Sequence, residues 1–346
     1  MTHKVAIIGD QFMLPDTFER HLRERCGDAV VTRSMANGWP DELMEHGYAR
    51  AGMDGLKEYI GDADAVCEFV GDAEILVTHL APMSAAMFKR LPALKLIAVS
   101  RGGPVNIDMQ AAQAAGVKVV NAPGRNASAV AEFTIGAILC ETRRIRLGHE
   151  TLRAGIWRGD LYRADRTGRE LHEMTVGLIG YGEIGRRVVK LLQPFGCKIL
   201  VADPYVELAP EDKAAGVAMC TLDELLPASD IVSLHARVTP ETQHIINAGT
   251  LEKMRSDSVL INTARGPLVD YPALTHALQN QVIGAAMLET FDVEPPDPAA
   301  DLLQLPNVTL TPHIAGASVY TIDKACAMVA EEVRRFINNE PALNAC

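Results

Sequence analysis

The chain predicts an α/β protein built from two doubly wound parallel-sheet domains. Three observations predict it. Short apolar runs of strand length alternate with helical stretches along most of the sequence, the pattern left by parallel strands joined through crossover helices. One of these units carries a glycine turn, Gly180-x-Gly182-x-x-Gly185, placed between a strand and a helix. The 346 residues are enough for two domains, each with its own core.

In the first region Val5 to Ile8, Ile75 to Thr78, Leu96 to Val99 and Val117 to Val120 read as strands. Helical stretches such as Ser84 to Arg90 and Met109 to Ala115 lie between them. The turn after the first strand, Gly9-Asp10-Gln11, lacks the second and third glycines of a dinucleotide loop, so no cofactor is expected there. Residues 34–72 are acidic, glycine-rich and only faintly periodic, and are expected to decorate the surface.

A second region runs from about Asn121 to Pro312. Ala129 to Glu141 is an apolar helical run, whereas 143–175 is polar, arginine-rich and without strong periodicity, an excursion from the sheet that carries Ile156 and Trp157. The unit from Thr175 to Tyr205 is the most informative. Val176 to Ile179 is a buried-type strand, Gly180 suits the tight turn, Gly182 lets backbone approach a pyrophosphate, and Gly185 lets the helix pack closely on the strand. The helix N-terminus, beginning around Glu183 and Ile184, offers free N–H groups to the phosphates. After the second strand, Lys198 to Ala202, Asp203 follows Gly185 by 18 residues, where a carboxylate meets the ribose. These features predict a Rossmann domain binding a dinucleotide. Further strands are expected at Ile231 to Leu234, Val259 to Asn262, Ile283 to Leu288 and Val308 to Leu310. Beyond them, apolar residues at steps of three and four make one face of a long helix over Ser318 to Asn338, with Pro341 just past its end.

Composition narrows the function classes. A net charge of −11 opposes nucleic-acid and anionic-membrane binding, which need a basic face. No apolar run approaches a membrane span, and the chain enters a strand almost at once, so a cytoplasmic protein is expected. The seven cysteines are scattered, with no C-x-x-C pair and no metal-type cluster, so no metal is expected either.

Three short motifs each follow an expected strand: Asn262-Thr-Ala-Arg-Gly266, Phe291-Asp-Val-Glu-Pro295 and Pro312-His-Ile-Ala-Gly316. Residues just past the carboxyl ends of such strands line the ligand crevice of a doubly wound sheet, which makes Arg265, Glu294 and His313 candidates for chemistry. Taken singly, the first two also read as surface charges and the third as a loop histidine.

With the glycine turn, Asp203, Ser233-Leu-His235 and Thr239-Pro-Glu-Thr242, these motifs resemble the D-isomer-specific 2-hydroxyacid dehydrogenase family over about Leu76 to Asn338. The resemblance implies a catalytic triad of Arg265, Glu294 and His313 and NAD as cofactor. It implies a dinucleotide-binding domain over 123–313 and a flavodoxin-like substrate domain from 1–122 and 314–346. It also implies a homodimer formed through an arm at about 143–175. The cofactor contacts it implies are Gly180, Gly182, Glu183, Ile184, Gly185, Asp203, His235, Ala236, Arg237, Thr242, Thr263, Ala264, Arg265, Glu289, His313 and Gly316. On the substrate side it points to Arg265 and His313, to the loop Arg101-Gly102-Gly103 with its backbone amides, and to His79.

Residue chemistry fits these roles. Reducing a 2-keto acid needs a proton at the carbonyl oxygen, and imidazole exchanges protons near neutral pH. A carboxylate on the other ring nitrogen fixes the tautomer, and a guanidinium fork matches carboxylate and carbonyl oxygens. Arg101 is an additional cation suited to a distal anionic or hydroxyl group, or else a solvated loop charge; His79 reads either as a packing residue or as a substrate contact.

There are departures from the family pattern. Glu289 stands where relatives often have Asp, and Arg237 lies where a proline is common, near the adenosine. A small polar D-2-hydroxy acid is the expected substrate. Phosphoglycerate dehydrogenase without its serine-sensing domain is the runner-up, and an NAD(H)-sensing corepressor-like protein the reading from another class. Formate dehydrogenase, which pairs its histidine with glutamine, is opposed by Glu294.

Overall fold

A computed structural model describes residues 2–38, 53 and 55–346. They divide into two compact units, Met1–Arg125 with Ala317–Cys346, and Asn126–Gly316. Both junctions fall three residues later than the sequence suggested. Gly124 and Arg125 are held by the first unit, through Lys324 Nζ donating to the Gly124 carbonyl and Arg125 lying 3.4 Å from His79. Gly316 belongs to the second, where a Cβ on it would come within 2.7 Å of Asn126 Nδ2.

The first unit is a five-stranded sheet in the order β2-β1-β3-β4-β5, parallel throughout. Its strands are β1 (His3–Gly9), β2 (Val30–Ala36), β3 (Ile75–Thr78), β4 (Leu96–Val99) and β5 (Lys118–Val120). This is the flavodoxin-like order, with its switch point between β1 and β3. Both central strands are continuous apolar runs because helices cover both faces. On one face α1 (Pro15–Cys26) and the C-terminal α12 (Val319–Ile337) pack Phe18, Leu22, Cys326 and Val329 against Val5 and Ile7. On the other, α2 (Ala63–Val70), α3 (Ala85–Phe88) and α4 (Met109–Ala114) cover Ala6, Ile8 and Ile97.

The expectation that 34–72 decorates the surface fails over its last part. Asp62 caps α2 through bonds from Asp64 N and Ala65 N, and Val66, Cys67 and Val70 enter the core. A two-turn helix is too short to show much periodicity. β2 escaped notice because it is an edge strand with polar residues on both faces. Residues 39–52 and 54 of that stretch lie outside the described residues.

The second unit has a seven-stranded parallel sheet. Its strands are β6 (Thr175–Ile179), β7 (Lys198–Ala202), β8 (Ala218–Met219), β9 (Ile231–Leu234), β10 (Val259–Asn262), β11 (Ala285–Leu288) and β12 (Val308–Leu310). The order β12-β11-β10-β9-β6-β7-β8 is the Rossmann arrangement with a seventh strand added, and the switch point lies between β6 and β9.

On one face α5 (Ala127–Thr142) and α7 (Glu183–Leu192) bring Ala131, Ile138, Val188 and Leu192 onto Val176, Leu178 and Ile261. On the other, α9 (Leu222–Ala228), α10 (Ala248–Leu251) and α11 (Tyr271–Gln279) bury Leu225, Leu251 and Leu274. α9 starts at a capping box, Thr221 Oγ1 accepting from Glu224 N and Glu224 accepting from Thr221 N. The short α8 (Pro210–Ala214) precedes β8. Residues 143–175 are not wholly irregular. α6 (Ile145–Arg153) opens them and short 3-10 turns follow, with no buried residue in α6 itself.

Candidate active site

At the switch point of the second unit the three glycines have different neighbours. Gly180 has φ +101°, and a Cβ there would lie 2.6 Å from Ala236 N and 2.7 Å from the His235 carbonyl carbon. Only glycine gives both that turn and that approach of strand ends. A Cβ on Gly185 would collide with the Gly180 carbonyl oxygen, so helix α7 meets the turn backbone to backbone. Gly182 has nothing among the described residues within 4 Å of its Cβ position. It opens on space at the start of α7, the cradle a pyrophosphate needs. Asp203 Oδ2 accepts from Tyr181 N (2.8 Å) and Oδ1 from Tyr205 N (2.9 Å). The carboxylate is therefore fixed beside the glycine turn and keeps lone pairs for a ribose hydroxyl. These features fit a dinucleotide.

The flanking loops are ordered by their own contacts. His235 Nε2 pairs with Ser233 Oγ at 2.9 Å while its Nδ1 has no partner among the described residues. Burial pushes this imidazole down to about 3, so it is neutral and brings no cation to a phosphate. Thr242 Oγ1 donates to the exposed Arg237 carbonyl at 2.6 Å. Thr263 is buried with its hydroxyl 2.8 Å from that of Thr134 on α5, so its side chain serves packing.

Around the carboxyl ends of β10, β11 and β12 the three motifs come together. His313 Nδ1 lies 2.7 Å from Glu294 Oε2, and Glu294 Oε1 accepts from Phe291 N at 2.8 Å. His313 has φ +52°, a conformation that costs a side-chain-bearing residue energy and is kept where the surroundings demand it. Its own N–H donates to the Glu289 carbonyl at 2.9 Å. Gly266 packs directly on the Phe291 backbone, where a Cβ would collide with the carbonyl, so the loop carrying Arg265 is locked to the loop carrying Glu294. Asn262 steadies the same loop: its Nδ2 donates to the Arg265 carbonyl (3.0 Å) and its Oδ1 accepts from Ala264 N (3.1 Å).

Glu289 is 1% exposed, and its Oε1 accepts from Ala315 N at 2.7 Å. Burial pushes its carboxyl up to about 7, opposed by the Ala315 amide and by the charges of His313 and Arg265 and reinforced by Glu294. The longer side chain found here in place of Asp thus makes its hydrogen bond within the protein and is easily protonated.

In the first unit, Arg101 is not a surplus cation. Its Nη2 pairs with Glu58 Oε2 and its Nη1 donates to the Glu58 carbonyl at 3.0 Å. His79 is buried, with Nδ1 2.7 Å from Asp10 Oδ2 and Nε2 3.4 Å from Arg125 Nη2. Asp10 and Arg125 were passed over in the sequence. The available signal was position, Asp10 standing directly after β1. Among the described residues no group of three or more His, Cys, Asp or Glu could hold a metal ion, and no helix is long and apolar enough to cross a membrane.

Comparison with known proteins agrees with this geometry. Residues 135–315 match the family model for the D-isomer specific 2-hydroxyacid dehydrogenase NAD binding domain. The chain is 36% identical over 333 residues to a glyoxylate reductase of Thermofilum pendens, covering 96% of this chain and 92% of that one. It is 35% identical over 283 residues to a D-3-phosphoglycerate dehydrogenase of Methanocaldococcus jannaschii, covering 81% of this chain and 53% of the other. Among solved structures, a putative D-isomer specific 2-hydroxyacid dehydrogenase from a Polaromonas species superposes with a TM-score of 0.79 at 27% identity, over 100% of both chains. The chain belongs to the D-isomer specific 2-hydroxyacid dehydrogenases and is an NAD-dependent oxidoreductase of 2-hydroxy acids.

Proposed function

We propose that the enzyme reduces a small polar 2-keto acid to the D-2-hydroxy acid, and catalyses the reverse, with His313 as the proton donor and acceptor. The observation that carries this is the His313–Glu294 pair at 2.7 Å. Glu294 accepts from the Nδ1 proton, which makes Nε2 the nitrogen that gives a proton to the substrate oxygen or takes one from it. The strained backbone at His313 is repaid by this orientation. Arg265, on a loop held by Asn262 and Gly266, carries the fork of donors for the substrate's carboxylate and carbonyl oxygens. NAD, when bound, carries the hydride. The backbone amides at Gly102 and Gly103 are the proposed carboxylate site of the first unit. Among small acids, glyoxylate is favoured by the glyoxylate reductase relative, which this chain covers almost end to end. A panel of 2-keto acids followed by NADH absorbance tests the reading, and no turnover on any of them would overturn it.

The nucleotide is NAD rather than NADP. Asp203 is fixed by two amides and would face a 2′-phosphate with like charge. kcat/KM with NADH is expected to exceed that with NADPH by at least about tenfold, the equivalent of about 1.4 kcal/mol of repulsion. Equal efficiency would remove Asp203 from this role.

The working form is a homodimer built through residues 143–175. Trp157 is 82% exposed and Tyr162 95%, with Ile145, Leu152 and Ile156 also open to solvent, an apolar load that a partner copy would cover. Light scattering at micromolar concentration should give twice the chain mass; a monomer would contradict it. The seven free thiols suit a reducing cytoplasm.

A further inference from the structure

Among the loops that leave the carboxyl ends of the first unit's five strands, those after β1, β3 and β5 hold a polar cluster. Asp10 follows β1, His79 follows β3 and Arg125 lies beyond β5. Asp10 Oδ1 accepts from Phe12 N (2.9 Å) and Met13 N (2.7 Å), which frees Oδ2 for His79 Nδ1. That bond places the ring proton on Nδ1 and turns the Nε2 lone pair toward Arg125. Burial lowers the His79 imidazole, with Asp10 opposing, so the ring is neutral. Burial raises Asp10, but His79 and the two amides more than offset it, so the carboxylate is ionised.

Arg125 is the unusual member. Among the described residues it has no carboxylate within salt-bridge distance. Its contacts are a long one to His79 Nε2 (3.4 Å), one to Met13 Sδ (3.8 Å) and a stacking position 5.8 Å from the Phe12 ring centre. A guanidinium carries five donors, and these weak partners hold its plane in place without saturating it. Burial pushes it down to about 10, so it remains charged at neutral pH. A partly buried cation without a close counterion is costly by itself and becomes favourable when an anion arrives.

Its neighbourhood says which anion. The loop after β4, Arg101 to Gly103, is tied to the chain just before Arg125: Ala122 N donates to the Arg101 carbonyl (2.8 Å), Asn121 Nδ2 donates to the Gly102 carbonyl (2.8 Å), and a Cβ on Gly102 would touch Pro123. The segment that leads into Arg125 therefore packs on the loop whose amides are assigned above to the substrate carboxylate. Arg101, engaged by Glu58, is not available for a distal group.

We propose that Arg125, braced by the Asp10–His79 pair and Phe12, is the specificity-determining residue for a second anionic group on the substrate, a carboxylate or a phosphate at the end away from the keto acid. This rests on the oxidoreductase reading above and deepens it.

The test uses the full chain with NADH and two matched pairs: oxaloacetate against 2-oxobutyrate, and 3-phosphohydroxypyruvate against hydroxypyruvate. In the wild-type enzyme the charged member of at least one pair should be preferred by about tenfold or more in kcat/KM, the scale of one charge-assisted hydrogen bond. The pair that shows it identifies carboxylate or phosphate. Arg125→Gln should reduce that preference to within about twofold, chiefly through KM, and Arg125→Lys should restore part of it. A wild-type enzyme indifferent to the charge overturns the proposal, as does an Arg125→Gln variant that loses both members of a pair equally. If Arg125→Gln does not fold, the wild-type preference and its partial loss in Arg125→Lys decide. Turnover of glyoxylate without any charge preference would sink this proposal alone. No turnover of any of the five acids would sink the oxidoreductase reading, and this with it.

Discussion

His313→Asn is expected to lower kcat/KM for 2-keto acid reduction by at least about 10²-fold, the low end of what a positioned general acid contributes. Asparagine is the informative replacement because, apart from glycine, it is among the residues that best tolerate positive φ. It can occupy the +52° conformation of His313 without unfolding the loop. It also keeps a side chain able to donate to Glu294, but it carries no proton that can be transferred near neutral pH. The loss should therefore fall on kcat in both directions, with the thermal midpoint little changed. Glu294→Gln should give a smaller loss, and the double variant should cost much less than the sum of the two, because both substitutions disable one hydrogen-bonded unit. Full activity in His313→Asn would remove this residue from the chemistry.

A second large effect is expected from Glu289, read in stability rather than turnover. Its carboxyl is raised from 4.5 to about 7, chiefly by burial. The folded state thus holds the proton more tightly than the unfolded chain, and the stabilisation this brings is fully present below pH 4.5. It is lost as pH rises through about 7. At 1.36 kcal/mol for each pH unit, the window between the two values corresponds to about 3 kcal/mol. Denaturant melts of the cofactor-free protein at about pH 5 and about pH 8 should show wild type losing stability by that order relative to Glu289→Gln. The glutamine keeps an acceptor for Ala315 N and has no charge to bury. Parallel behaviour of the two proteins across that range would refute an elevated Glu289.

The sequence by itself determined most of the sheets. β3, β4, β7, β9, β10 and β12 lie where largely apolar runs put them, because parallel strands covered by helices on both faces are mostly apolar along their length. It also determined the glycine turn and the order of the three motifs, since both are local: a positive φ at Gly180 and a residue directly after a strand end need no distant partner.

What it could not determine depended on contacts far apart in the chain. β2 and α2 carry weak patterns and are specified by the surfaces they cover. Arg101 looked like a free cation until the fold supplied Glu58, 43 residues away. Asp10 and Arg125 look ordinary in the sequence and His79 reads either as a packing residue or as a substrate contact; the loops after β1, β3 and β5 bring the three together from widely separated parts of the chain. Burial in turn decided the charge states of His79, His235 and Glu289, because the free energy of an ionised group depends on the water and partners around it, and these exist only once the chain has folded.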